Sequence, residues 1–186
     1  MNVLGIVCSS RKGGNTEILV REALNEAAKK DAETDLILFA DLNISPCTGC
    51  GGCVNTGRCV IEDDMTKVYE KLLSADGIVF GTPVYFWTVT AQAKLLMDRT
   101  YSLYHGKKLG GKVCGCIAVA GRRGTVNVLS TFNMFFLGQN MIPVSNGISA
   151  YGSGIGDVKK DENGIHSARD LGLRIAETVY KQKKLS

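Results

Sequence analysis

The sequence predicts an α/β fold: five parallel strands in one sheet, with helices on both faces. Three observations carry this. Apolar runs recur at residues 3–8, 36–40, 77–81, 113–120 and 141–148. Stretches with apolar residues at helical spacing lie between them. The runs at 3–8 and 77–81 are continuous, the pattern of strands buried on both faces. Parallel neighbours need a crossover, and the intervening helices supply it.

The elements follow in order. Residues 3–8 form the first strand and 9–14 a turn. A helix from Thr16 places Val20, Leu24, Ala27 and Ala28 on one side. Asn15 or Thr16 is suited to cap it, and Lys29 and Lys30 suit its negative end. The second strand, 36–40, runs into a cysteine-rich stretch. Asp63 or Asp64 then caps a helix with Met65, Val68, Tyr69 and Leu72 in phase. After the third strand and Pro83, a helix carries Val89, Ala93, Leu96, Thr100 and Leu103. The fourth strand precedes a helix marked by Leu129, Phe132, Phe135 and Phe136, stopping near Gly138. The fifth strand contains Pro143, which suits a sheet edge. Residues 149–164 read as a long Gly-rich loop, and a terminal helix capped by Ser167 carries Ala168, Leu171, Ile175 and Val179.

With no repeat or linker, residues 1–186 are expected to form one domain, with a cysteine-rich insertion at about 45–62. Five such strands suit the flavodoxin-like order 2-1-3-4-5. The loops leaving the first four strands, at 9–14, 41–62, 82–88 and 121–125, then converge on one rim, where ligands bind. A net charge of +4 without a long basic run gives no support for a nucleic-acid partner. No apolar run reaches transmembrane length, and the apolar start is too short for a signal peptide. A cytoplasmic location is therefore expected, where thiols stay reduced.

The rim loops carry the chemistry. Ser9, Ser10, Arg11, Gly14, Asn15 and Thr16 join a buried strand to a helix N-terminus. Hydroxyls, a guanidinium and the helix dipole there make a monophosphate seat. The spacing is neither the Walker pattern nor the dinucleotide G-x-G-x-x-G pattern. Pro83, Val84, Tyr85, Phe86 and Trp87 offer a rigid turn and three aromatics to wall a flat ring. Ala120, Gly121, Arg122, Arg123 and Gly124 bring glycine and positive charge to the same rim. A phosphate seat and a ring pocket on such a sheet imply flavin mononucleotide (FMN).

Four of the seven cysteines, Cys47, Cys50, Cys53 and Cys59, are spaced C-x2-C-x2-C-x5-C. Thiolates at short Gly-spaced intervals suit an iron–sulfur cluster or zinc. Cys8, Cys114 and Cys116 lie in strand-like runs and read as small core residues. His105 and His166, the two histidines, lie near helix ends and read as structural or exposed. No Ser/His/Asp constellation can be assembled, so hydrolysis fits poorly.

Three stretches then carry a family resemblance: Ser9-x-Arg11-x-x-Gly14-Asn15-Thr16; Gly81-x-Pro83-Val84-Tyr85-Phe86 with Ala91-Gln92-x-Lys94 and Asp98-Arg99; and Gly121-Arg122-Arg123-Gly124. Together they resemble the flavodoxin-like NAD(P)H-dependent FMN reductase family. The cysteine set followed by Asp63-Asp64-Met65 resembles its iron–sulfur flavoprotein branch. The resemblance implies that Ser9, Arg11, Asn15 and Thr16 hold the FMN phosphate. It implies that residues 83–86 and 121–124 flank the ring, and that the four cysteines ligate a [4Fe–4S] cluster. It also implies a homodimer or homotetramer.

The leading expectation is an FMN-dependent electron-transfer oxidoreductase with a [4Fe–4S] cluster and a partner such as ferredoxin. Flavins exchange electrons in pairs or singly and a cluster exchanges them singly, so the pair would link the two kinds of carrier. No side chain is assigned as catalytic acid or base, because the flavin carries the chemistry. The alternatives are an NAD(P)H-dependent FMN, quinone or nitro-compound reductase without a cluster, and a zinc-binding or redox-sensing protein that is not an enzyme.

Overall fold

A computed structural model describes residues 1–185. The chain opens with β1 (Asn2–Val7), α1 (Asn15–Ala28) and β2 (Glu33–Leu38). The cysteine-bearing excursion includes one helical turn, α2 (Cys53–Thr56), and leads to α3 (Met65–Ser74) and β3 (Gly77–Pro83). Then come α4 (Ala91–Arg99), α5 (Tyr101–Tyr104), β4 (Val113–Ala120) and α6 (Thr125–Gly138). The last elements are β5 (Ile142–Pro143), β6 (Ile148–Tyr151) and α7 (Glu162–Leu185). The strand order is β2-β1-β3-β4-β5, with β6 also on β4, and all these pairings are parallel. This is the flavodoxin-like order that the sequence predicts.

Successive side chains of a strand point to opposite faces, and the core divides accordingly. From β1, Leu4 and Ile6 face one layer, while Val3 and Val7 face the other. From β4, Cys114, Cys116 and Ala118 face the first, and Val113, Ile117 and Val119 the second. The first layer is closed by Met65, Val68 and Leu72 of α3, Leu96 of α4, and Phe132 and Phe136 of α6. The second is closed by Leu19, Val20 and Ala23 of α1 with Leu171, Ile175 and Val179 of α7. Cys8, Cys114 and Cys116 are buried as expected, and burial pushes their thiols up, away from reactivity.

Several boundaries differ from expectation for physical reasons. The second strand lies at Glu33–Leu38, not 36–40, because Phe39–Asp41 turns into a 3-10 helix. The fifth strand is broken in two. Ile142 and Pro143 pair with the start of β4, and Ile148–Tyr151 with its end. Gly147, at φ +99, lies in the break. The expected long loop is thus partly strand, and a 3-10 turn at Asp157–Lys160 shortens it further. Ser167 does not cap the terminal helix, which begins five residues earlier at Glu162. The Asp161 carboxylate instead accepts from the N–H groups of Tyr151 and Gly164.

The closest crossing in the second layer is between α1 and α7. A Cβ on Gly172 would lie 1.9 Å from the Ala23 carbonyl oxygen. Gly172→Ala should therefore force the helices apart and destabilise the protein by about 2 kcal/mol, despite the better helix propensity of alanine. The urea midpoint measures this, and an unchanged midpoint would contradict the packing.

Candidate functional site

The carboxyl ends of β1, β3 and β4 bring three loops together around a cleft of about 250 Å³. Ser9, Arg11, Gly14, Asn15 and Thr16 form one wall. Their loop is closed by its own side chains. The buried Ser9 hydroxyl accepts from the Arg11 N–H at 3.2 Å. Gly13, at φ +65, donates its N–H to Glu17 Oε2 at 2.7 Å, and Arg21 pairs with that carboxylate. The Gly13 amide is therefore engaged internally. The first N–H groups of α1 have no intrahelical partner, and the residues that bear them line the cleft.

Asn15 does not cap α1. The N-cap is Gly14, with no side-chain cap bond. The Asn15 amide instead binds the far wall. Its Nδ2 donates to the carbonyls of Gly152 (3.1 Å) and Gly154 (2.8 Å). Its Oδ1 accepts from the N–H groups of Gly156 (2.8 Å) and Val158 (3.3 Å). One side chain thus pins a loop more than 130 residues away in sequence, and Gly152, Ser153 and Ile155 become cleft lining. Sequence reasoning missed these three, and Val119 of β4 with them. A polar amide facing a G-x-G-x-G stretch was the available signal, but nothing local links the two.

Pro83, Val84, Tyr85 and Gly121 complete the cleft. Beyond Tyr85 the chain reverses, with Tyr85 and Thr88 exchanging backbone bonds at 3.0 Å each. Phe86 (φ 50) and Trp87 (φ 61) occupy the left-handed region at the turn. Each costs about 1–2 kcal/mol there, a conformation usual for glycine or asparagine. Phe86 is 94% exposed and Trp87 60%. They do not line the cleft. With Val84, Arg122 and Arg123 they line an adjoining hollow of about 470 Å³, and Val84 is common to both.

Three further expected residues are placed otherwise. Ser10 is exposed and lines neither space. Ala120 is buried in β4, where its carbonyl accepts from Gly152 N–H at 3.0 Å. Gly124, at φ +97, sits behind the wall, and a Cβ there would lie 2.8 Å from Val84 Cγ1.

The cysteine loop leaves the same rim from β2. Its neck is held by charges. Arg99, 1% exposed, donates from Nη1 to Ser45 O (2.6 Å) and Asp63 Oδ2 (2.7 Å), and from Nη2 to Asp63 Oδ1 (3.0 Å). Asp63 also accepts from the Ser45 and Met65 N–H groups, while the N-cap of α3 is Asp64, whose side chain makes no cap bond. Asp64 accepts from Asn43 N–H. Burial raises the Asp63 carboxyl, but the Arg99 bonds and the two N–H groups outweigh it and hold the carboxyl below its ordinary range.

Within the loop, Cys47 and Cys50 are exposed, and Cys53 and Cys59 half-buried. Gly49, Gly51 and Gly57 all have φ near +70, which lets the loop turn sharply between cysteines. The Gly52 N–H and the Thr48 hydroxyl stabilise the Cys50 thiolate and pull that thiol below its usual range. Donor type and backbone therefore suit a soft metal centre. The arrangement is open, however. Among the described residues no three or more His, Cys, Asp or Glu side chains are gathered to hold a metal ion. Among them, too, no helix is long and apolar enough to cross a membrane.

Fold and cleft together define an α/β protein of the flavodoxin-like class, with a cleft at the carboxyl edge of the sheet. Comparison with known proteins is more specific. Residues 1–155 match the NADPH-dependent FMN reductase family. An iron–sulfur flavoprotein of Methanocaldococcus jannaschii is 42% identical, with 99% of this chain and all of that protein aligned. Another from Methanosarcina thermophila is 31% identical over 96% of this chain and 95% of that one. The chain belongs to the FMN reductase family, in its iron–sulfur flavoprotein branch, and is an FMN-dependent oxidoreductase by that membership. Solved structures agree on the fold. A flavone reductase superposes with a TM-score of 0.81 at 23% identity, over 98% of this chain, which spans 64% of that one. A WrbA-like flavodoxin protein from Agrobacterium tumefaciens gives 0.71 at 17% identity, over 97% and 98% of the two chains.

The Asp63–Arg99 pair generates a pH prediction. Because the folded carboxyl titrates below its unfolded value of about 3.9, its stabilisation is present above that pH and lost as pH falls through the folded value. Asp63→Asn should cost about 3 kcal/mol at pH 7, where it leaves Arg99 without its counterion. The cost should shrink progressively as the pH falls below the unfolded value. Urea denaturation in a series from pH 7 down to about pH 2 checks this, and a loss that stays constant across the series would contradict it.

Proposed function

We propose that this chain is an electron-transfer flavoprotein that binds FMN in the cleft and a [4Fe–4S] cluster on Cys47, Cys50, Cys53 and Cys59. The cleft carries the FMN half of the reading: a helix N-terminus, two hydroxyls and Arg11 face a rigid Pro83 turn across one space. Thr16, Ser9, Arg11 and the α1 amides would hold the phosphate, with Ser153 opposite. Pro83, Val84, Tyr85 and Gly121 would flank the ring. Phe86, Trp87 and Arg122 would wall its outer side and restrict solvent. Bound FMN supplies the exchange of electron pairs and single electrons, so the side chains position and shield it.

The cluster half rests on donor chemistry and on the relatives named as iron–sulfur flavoproteins. Loops of this kind take their final shape from the metal they bind, which accounts for a donor set that is complete in type but open in arrangement. The partners proposed are a donor or acceptor such as ferredoxin, NAD(P)H as co-substrate, and further copies of the chain as a dimer or tetramer, in the cytoplasm. A second reading has a specific observation behind it. It is an NAD(P)H-dependent FMN, quinone or nitro-compound reductase whose cysteines hold no cluster, and the matched NADPH-dependent FMN reductase family supports it.

Anaerobic purification followed by iron, sulfide and flavin assays decides between the readings. Four irons and four sulfides per chain are expected of the first. FMN without iron, bleached rapidly by NAD(P)H, would establish the second. In either case Arg11→Ala should weaken FMN binding about 10- to 100-fold, the loss of a hydrogen-bonded charge. Fluorescence titration of the apoprotein measures it, and unchanged affinity would place the phosphate elsewhere.

A further inference from the structure

Arg99 is an unexpected residue to bury. A buried ion pair is a weak source of stability, and an apolar side chain would close the same space at less cost. Its Nε–H is buried without a partner as well. What the guanidinium provides is geometry. Its planar fork reaches Ser45 O at 2.6 Å on one stem of the cysteine loop, and Ile61 O (3.4 Å) and Asp63 on the other. Ser45 stands two residues before Cys47, and Ile61 two after Cys59. The Asp63 carboxylate closes the ring by accepting from Ser45 N–H at 2.9 Å. Both stems are therefore tied to one cation.

The other end of α4 is tied to the cleft. Thr90 caps the helix by accepting from Ala93 N–H at 3.2 Å. The same hydroxyl donates to Cys8 O at 2.8 Å and lies 3.2 Å from the Thr82 hydroxyl. Cys8 and Thr82 sit at the carboxyl ends of β1 and β3, beside the cleft wall. Nine helical residues span about 14 Å, so α4 is a strut anchored at the cleft and at the neck of the loop. The Tyr69 hydroxyl fixes the strut's far end by donating to Arg99 O at 2.7 Å.

We infer that Arg99 is a positioning residue: its own hydrogen bonds set the separation of the two stems of the cysteine loop, and α4 sets the place of that neck relative to the cleft. For the cluster the inference rests on the function proposed above. A lysine cannot replace the fork, because a point charge cannot reach both stems in one plane.

The test uses the full-length protein and its Arg99→Met, Arg99→Lys and Asp63→Asn variants. Arg58 is exposed within the loop and gives trypsin a cutting site. In iron-free protein, cutting at Arg58 should accelerate about tenfold in Arg99→Met and Asp63→Asn, because the loop opens locally. Arg99→Lys should stay nearer to Arg99→Met than to the parent. FMN affinity should remain within about twofold, since none of these residues lines the cleft. Reconstitution with ferrous iron and sulfide should give clusters whose visible absorbance decays several-fold faster under chelator. Parental cutting rates in folded variants would overturn the inference, and so would parental cluster lifetimes. If Arg99→Met does not fold, the other two variants decide. If the parent protein takes up no iron, the cluster reading fails, and cutting at Arg58 still decides the role of Arg99.

Discussion

The constraint on which everything else depends is that parallel strands all end at the same edge of their sheet. Each crossover helix returns the chain to the opposite edge, so every loop after a strand starts from one rim. That geometry brings Ser9, Pro83 and Gly121 together although they are separated by up to 112 residues. It also delivers the cysteine loop, after β2, to the same edge. The hydrophobic layers on either face keep the sheet rigid beneath these loops, and the loops are free to be polar, charged or strained.

The site is assembled with different means at each wall. On the wall formed by the loop after β1, Glu17 and Ser9 use up two loop amides and leave the start of α1 facing the cleft. On the opposite side, the four hydrogen bonds of the Asn15 amide order the 152–158 segment. In the turn after β3, Phe86 and Trp87 hold a left-handed conformation at a cost. Such strain persists where the surroundings over-determine it, and it accumulates at functional sites. At the neck of the cysteine loop, a buried guanidinium joins the two stems. Leu42 and Ile44 pack the base of one stem against the core, and the ions and backbone carbonyls tie that stem to the other.

Much of this was readable beforehand. Continuous apolar runs identified β1, β3 and β4, and helical phase identified α1, α3, α6 and α7, because burial on two faces and on one leave different periodicities. The edge was harder. β5 and β6 contain Pro143, Ser145, Asn146 and Gly147 between or within them, and an edge strand is half-exposed, so its pattern blurs. Caps were misassigned for a related reason. Asn15 and Ser167 have the right chemistry for capping, but Asn15 had a better set of partners far along the chain, and Ser167 lies inside a helix that began earlier.

By itself the sequence determined the fold class, the rim and the residue types that meet there, as consequences of periodicity and local turn chemistry, and it suited the strand order that the sheet adopts. It also determined the donor set of the cysteine loop. Only the tertiary structure decided that Gly152, Ser153 and Ile155 are cleft walls, and that Phe86 and Trp87 stand outside the cleft. Only there, too, does Arg99 reach across to Ser45 and Asp63. The physical reason is the same in each case. Hydrogen bonds between residues dozens of positions apart leave no periodic trace in the chain, and they come into being when the sheet brings its loops to one edge.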